Sequence, residues 1–345
     1  MAAVAAGVAD DGSSGDRGPV CSPIVTYTLW RSYLAQQRLS APPVGDPVWT
    51  KRSQLDYHSE FVTLRTASME QCLRQLRLLL ALNHCQEGTA RRGLIVSGPP
   101  GAGKSTTLME MARSFELSYR RRHPDRADTL PVAFVGIPPS YSPKALVRAL
   151  ARFLCLPVHD RMTENTITDA VCAVLCERGT RIVFIDDVHL LNTRTRPGAD
   201  TSDQLKSLAE RIPATFVLAG VDVETSPLLT GPRGAQLAAR FKLLRTLPLL
   251  NGTKQQKLEW RYLLNEMEAA LRLSHHRTGT LERHADYIHL RTGGVMASLS
   301  QLVREAAICA VLDGSQAITK KSLSGIVLDV QATKGSRPSR GSGAS

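Results

Sequence analysis

Apolar positions along this chain follow two rhythms, short unbroken runs and longer stretches spaced by three and four residues. The unbroken runs predict strands buried on both faces: 94–96, 132–135, 182–185, 215–220 and a last one near 243–249. Between them the spacing is helical. Over 68–82 the apolar positions are Met69, Cys72, Leu73, Leu76, Leu79 and Leu80, with Arg74 and Arg77 off that face. Further helices carry Leu108, Met109 and Met111, then Leu146, Leu150 and Phe153, and others are expected over 166–177, 203–211 and 236–241. A polar loop is expected over 192–200, after the third strand. Strands alternating with helices predict an α/β fold, a parallel sheet with helices on both faces. Beyond Asn251-Gly252 the strand pattern stops. Helical segments around 254–272, 280–291, 295–312 and 319–329 predict a C-terminal all-α lid.

The flanks read differently. Residues 1–22 are small, polar and glycine-rich, and are expected to be disordered. Residues 23–55 carry Trp30, Tyr33, Leu34 and Trp49 around an Ala41-Pro42-Pro43 break. Too short for a core, this N-terminal appendage either docks on the domain or binds a partner. The nucleotide-binding core then spans 56–252 and the lid 253–330, ahead of a Gly/Ser/Arg-rich tail, 331–345, expected to be disordered.

Composition narrows the class. With 345 residues and 43% hydrophobic content the chain can bury a large core. It holds no apolar run of about 18 residues, so no membrane helix is expected, and its start lacks the basic-then-apolar order of a signal peptide. Seven scattered cysteines make no disulfide framework, and Cys172 and Cys176, four apart, read as small core residues. A reducing cytoplasm fits that usage. The net charge of +12 points to a polyanionic partner, most plausibly nucleic acid.

The candidate chemistry sits on the first strand. Gly98-Pro99-Pro100-Gly101-Ala102-Gly103-Lys104-Ser105 matches G-x-x-x-x-G-K-[ST] between a strand and a helix, and Thr106 continues it. Glycines let consecutive backbone N–H groups converge on phosphate oxygens at a helix N-terminus. Lys104 can reach the β- and γ-phosphates of ATP, and the Ser105 hydroxyl can ligate Mg²⁺. The strand ending in Asp186-Asp187 is the matching Walker B arrangement. There Asp186 would hold Mg²⁺, and Asp187 would orient and deprotonate the attacking water. The run Arg120-Arg121-Arg122 before Pro124 is either a helix cap or a DNA contact.

The order P-loop, Walker B, strand ending in Ala219-Gly220, Gln236 to Phe241 and helical lid resembles the AAA+ ATPases over residues 55–330. More narrowly it is similar to the TniB/TnsC-type ATP-binding proteins of DNA transposition, relatives of the ExeA-like secretion ATPases. The segments that carry this are Val132 to Pro143, Val217-Leu218-Ala219-Gly220, and Gln236-Leu237-Ala238-Ala239-Arg240-Phe241. The resemblance implies an ATPase that assembles as a homo-oligomeric ring or filament on duplex DNA and activates or recruits a transposase. It also implies an arginine finger, for which Arg240 is the first choice and Arg233 the second. By the same analogy, loops after the second and third strands face DNA, the first carrying Tyr141 and Lys144, with Arg148 a helical turn further on, and the second Arg194 and Arg196.

This chain departs from the family at three points. Asp187 stands where Glu is usual, which draws the base back by about 1.5 Å. Val221 follows Gly220 where a polar sensor is usual, with Asp222 the nearest polar residue, and the lid helix after Gly293-Gly294 lacks the usual arginine. Slow hydrolysis is the expectation. A non-hydrolysing switch, an ExeA-like ATPase and a small-molecule kinase are the alternatives, and the appended lid disfavours the kinase.

Overall fold

The computed structural model describes residues 24–35, 49–60, 64–86, 91–138, 145–191 and 197–329, with backbone only at 197–201, 232 and 233. The ends expected to be disordered lie outside these residues. Helices α1 (Tyr27–Ala35), α2 (Lys51–Ser59) and α3 (Ala67–Asn83) precede strand β1 (Gly93–Ser97). Then come α4 (Lys104–Arg122), β2 (Val132–Gly136), α5 (Ala145–Phe153), α6 (Glu164–Glu177) and β3 (Ile182–Asp186). After β3 follow α7 (Pro197–Arg211), β4 (Thr215–Gly220), α8 (Gly231–Ala238) and β5 (Phe241–Arg245). Helices α9 (Lys254–Ala269), α10 (Thr280–Arg283), α11 (Ala285–Thr292), α12 (Met296–Leu312) and α13 (Lys320–Gly325) complete the lid.

The five strands run parallel in the order β2-β3-β4-β1-β5. Strands β1, β3 and β4 are buried throughout, as runs of Leu, Ile, Val and Phe covered on both faces must be. Because β4 lies between β1 and β3, the P-loop and the Walker B carboxylates leave the same sheet edge on either side of it. Helix α3 buries Met69, Cys72, Leu73, Leu76 and Leu79 and exposes Arg74 and Arg77, following its apolar spacing.

Several boundaries and one cysteine differ from expectation. The final strand is Phe241–Arg245, not 243–249, so Phe241 starts a strand and the preceding helix ends at Ala238. Residues 246–250 form the core-to-lid linker. Helix α7 begins at Pro197, inside the expected loop, because proline is favoured at the first helical position. Cys172 is buried, whereas Cys176 is exposed.

Helices α1 and α2 each dock. Trp30, fully buried, stacks on Phe134 with ring centroids 5.7 Å apart, and its Nε1–H donates to Glu116 Oε2 at 2.6 Å. Arg120 closes this network, donating to Glu116 Oε1 at 2.9 Å, to the Tyr27 hydroxyl at 2.8 Å and to the Thr129 carbonyl. Helix α2 lies on the lid instead, so the boundary expected at residue 55 falls within it. Lys51 Nζ donates to Leu312 O at 2.8 Å, the Tyr57 hydroxyl to Ala270 O at 2.7 Å, and Arg304 to Ser59 O.

The lid has its own core, including Trp260, Leu264, Leu281, Ile288, Leu299 and Leu302. It meets the core domain through a short linker. The Thr246 amide donates to Ser97 O at 2.8 Å, on the core side. Leu249 N donates to Gly294 O at 2.9 Å, and His289 Nε2 bonds Leu249 O at 2.8 Å, on the lid side. Gly294 has φ +70°, and a Cβ there would sit 1.9 Å from Leu249 O, so only glycine permits this seam.

Candidate nucleotide site

The P-loop glycines serve separate ends. A Cβ on Gly98 would meet Thr246 O at 2.0 Å, so glycine there admits the chain leaving β5. Gly103 has φ +86° and open space around it, so its requirement is conformational. It is also the N-cap of α4 and makes no side-chain cap bond, which leaves the first-turn N–H groups to face an anion.

Lys104 is 7% exposed, and its Nζ donates to Pro99 O at 2.8 Å. Burial lowers its pKa, while the carboxylates of Asp186, Asp187 and Asp222 push it back up. Asp186 is 6% exposed, and burial raises its pKa. Hydrogen bonds from the Ser105 hydroxyl and from the Asp187 amide, at 2.9 Å, oppose that rise. The two candidate metal ligands, Ser105 and Asp186, are thus near enough for the hydroxyl to favour the ionised carboxylate. A hydroxyl beside a carboxylate suits Mg²⁺, which takes one or two protein oxygens and completes its shell with phosphates and water. The residues fit a nucleoside triphosphate with its magnesium.

Asp187 turns the chain out of β3 in a left-handed conformation, φ 56°, and its carboxylate is about half exposed. It lines a cavity of about 440 Å³ together with the P-loop from Pro100 to Thr107. The same cavity is lined by apolar Leu64 and Met69, ahead of β1, and by Met267 and Met296 of the lid. Ala297 N, in the first turn of α12, donates to Gly101 O of the P-loop at 3.0 Å, so the lid touches the phosphate loop directly.

Sequence reasoning missed two contributors. His189 lines the cavity beside Asp187 and Val221, and a lone histidine after Walker B carries no signal of its own. Below the P-loop, buried Ser97 donates to Glu224 and accepts the Val223 amide at 3.1 Å, while Arg245 donates to Glu224 at 3.0 Å. Burial works to raise the Glu224 pKa, but these hydrogen bonds and its own amide outweigh it and hold the group low. This cluster ties the ends of β1, β4 and β5 together. Asp222 is not a cavity residue and reaches the site only through its charge on Lys104.

The remaining candidates lie elsewhere. Arg240 is at the amino end of β5, where its carbonyl accepts the Gly93 amide at 3.0 Å and its side chain pairs with Glu210 at 2.8 Å. Arg233 has no described side chain. Arg148 lies on α5 and pairs with Asp160 at 3.6 Å. Tyr141, Lys144, Arg194 and Arg196 lie outside the described residues. In the basic run, Arg120 serves the α1 network, while Arg121 and Arg122 donate to the helix carbonyls of Leu117 and Ser118.

Among solved structures the chain is similar to Aeropyrum pernix ORC2 in its ADPNP–ADP complexes, at TM-score 0.60 and 16% identity over 77% of this chain and 69% of that one. It is also similar to Cdc6p from Pyrobaculum aerophilum, at TM-score 0.55 and 20% identity over 76% of this chain and 67% of that one. A third likeness is A. pernix ORC1 in complex with DNA, at TM-score 0.55 and 15% identity over 81% and 67%. At these identities the likeness shows the fold, an AAA+ P-loop sheet with a helical lid. No curated protein matches the chain. The family described as bacterial TniB protein matches over residues 54–279, from within α2 to the edge of α10 and so across both Walker motifs and all five strands. This chain belongs to the bacterial TniB family.

Proposed function

We propose that this protein is an ATP-dependent switch that oligomerises on duplex DNA and activates or recruits a transposase, with hydrolysis as the reset. The observation that carries the nucleotide reading is the cavity that the P-loop, with buried Lys104 at the uncapped start of α4, shares with Asp187. ATP would lie with its phosphates on residues 98–106 and its base among Leu64, Met69, Met267 and Met296. When bound, Mg²⁺ supplies charge neutralisation at the β- and γ-phosphates. Ser105 and Asp186 would hold it, Lys104 would bind the phosphates, and Asp187 would accept the proton of the attacking water.

The assembly reading is supported by Arg240. Its position at the amino end of β5 is remote from its own P-loop, and pairing with Glu210 holds its guanidinium at the surface. An arginine so placed serves a neighbour's site. The DNA reading is supported by the net charge of +12 and by the topology. Strands β2 and β3 are neighbours, with Gly136 beside Asp186, so the segments carrying Lys144 and Arg194/Arg196 start side by side. Arg148 is the weakest of these candidates, since Asp160 offsets its charge.

A non-hydrolysing scaffold is the second reading, and the short, half-exposed carboxylate of Asp187 favours it. Phosphate release measured with and without duplex DNA, across a range of protein concentrations, separates the two. DNA-stimulated, concentration-dependent turnover is expected. Nucleotide binding with no turnover under any condition would leave the scaffold.

A further inference from the structure

Lys104, Asp187, His189 and Val221 line one cavity. His189 belongs to the single 3₁₀ turn Val188–Leu190 that follows β3. Its Nδ1 accepts the Val221 amide at 3.3 Å and lies 4.0 Å from Asp187 Oδ1. A ring nitrogen that accepts an N–H carries no proton in neutral imidazole, so the proton resides on Nε2. Nε2 is therefore a hydrogen-bond donor on a ring that is 29% exposed and belongs to the cavity wall.

The backbone is shaped to allow this latch. A Cβ on Gly220 would lie 2.8 Å from Val223 Cγ2 and 3.2 Å from the His189 amide nitrogen. Glycine at that position lets the 3₁₀ turn rest against the end of β4, which brings the Val221 amide to the imidazole. The left-handed backbone of Asp187 makes the reversal that puts residues 187 and 189 on the same cavity.

We infer that His189 contacts the γ-phosphate: its Nε2–H donates to the terminal phosphate, and the Val221 amide fixes its tautomer and orientation. The inference rests on the nucleotide reading above. In this chain the polar group that distinguishes a triphosphate from a diphosphate comes from the turn after β3, and the end of β4 contributes only its backbone. Occupancy of the γ-position is thereby communicated to β4 through one hydrogen bond.

Two substitutions separate the ring's two ends. His189→Asn puts an amide oxygen where Nδ1 stands, keeping the acceptor for Val221, but stops short of the Nε2 position. His189→Gln extends an amide donor to the Nε2 position. Dissociation constants of ADPNP and ADP would be measured by competition with a fluorescent nucleotide, on the full chain. Loss of one hydrogen bond to a charged group should weaken ADPNP binding about tenfold or more in the Asn variant. ADP binding should be unchanged, and the Gln variant should recover most of the difference. An unchanged ADPNP-to-ADP ratio in the Asn variant would overturn the inference, and so would an equal loss for both nucleotides. If the wild type binds neither nucleotide, the nucleotide reading itself falls, and this inference with it.

Discussion

The position of Arg240 makes a quantitative demand on any assembly. Its carbonyl is bonded to Gly93, the first residue of β1, whereas the P-loop follows the last, Ser97. At about 3.3 Å per strand residue, roughly 16 Å of backbone lies between them. Arg240 cannot reach the γ-phosphate on its own subunit, so a finger role requires a neighbour. Arg240→Ala should keep its nucleotide site and lose its finger, while Asp187→Asn should bind ATP, keep its finger and lose its base. Each alone should turn over ATP slower than wild type by a factor on the order of 10³. Mixed in equal amounts in a head-to-tail assembly, about one interface in four joins an intact site to an intact finger. The mixture should recover about a quarter of the wild-type rate, more than a hundredfold above either parent. Phosphate release with DNA, after mixing long enough for subunits to exchange, measures it. A mixture no faster than the mean of its parents, when both bind DNA and assemble, would refute the trans-acting finger.

Other outcomes test the site and the fold. Lys104→Ala should abolish binding of a labelled nucleotide, since it removes the point charge on the β- and γ-phosphates; wild-type affinity would remove the P-loop assignment. Asp187→Glu should raise turnover, and a fall would mean that the shorter carboxylate is already correctly placed. Lys144→Ala and the pair Arg194→Ala/Arg196→Ala should each lower DNA affinity and flatten its salt dependence, by about 0.9 in log–log slope for each phosphate left without its cation. Unchanged slopes in both would put the DNA site elsewhere. Trp30→Ala should cost about 3–5 kcal/mol, from the removed indole volume and the loss of its bond to buried Glu116. A denaturant midpoint corresponding to a loss under about 1 kcal/mol would show that α1 is not part of the core.

The parts legible in the sequence are those with local causes. The P-loop needs its glycines and lysine in one short stretch, and buried parallel strands announce themselves as unbroken apolar runs. Helices α7 and α8 both start earlier than their apolar spacing suggests, each at a proline next to a glycine, Pro197-Gly198 and Gly231-Pro232. That pairing reads as a turn when it is helix entry. The last strand lies ahead of its expected place because β5 is an edge strand with half-exposed residues, whereas the more apolar residues after it form the linker. There Leu247 and Leu250 are exposed. Arg120 and His189 are opaque for a different reason. Their partners, Tyr27 and Val221, are distant in the sequence, and no spacing rule brings them together.

The linker between core and lid also fixes how the two can move. Thr246 is bonded to β1 and Leu249 to the lid, so along this connection a rotation between the bodies falls on Leu247 and Pro248. The proline ring holds its own φ near −65° and keeps Leu247 extended, which leaves few torsions free. Any opening of the lid would draw Met296 and Ala297 from the P-loop and break the Ala297–Gly101 bond, so the phosphate loop itself feels where the lid stands.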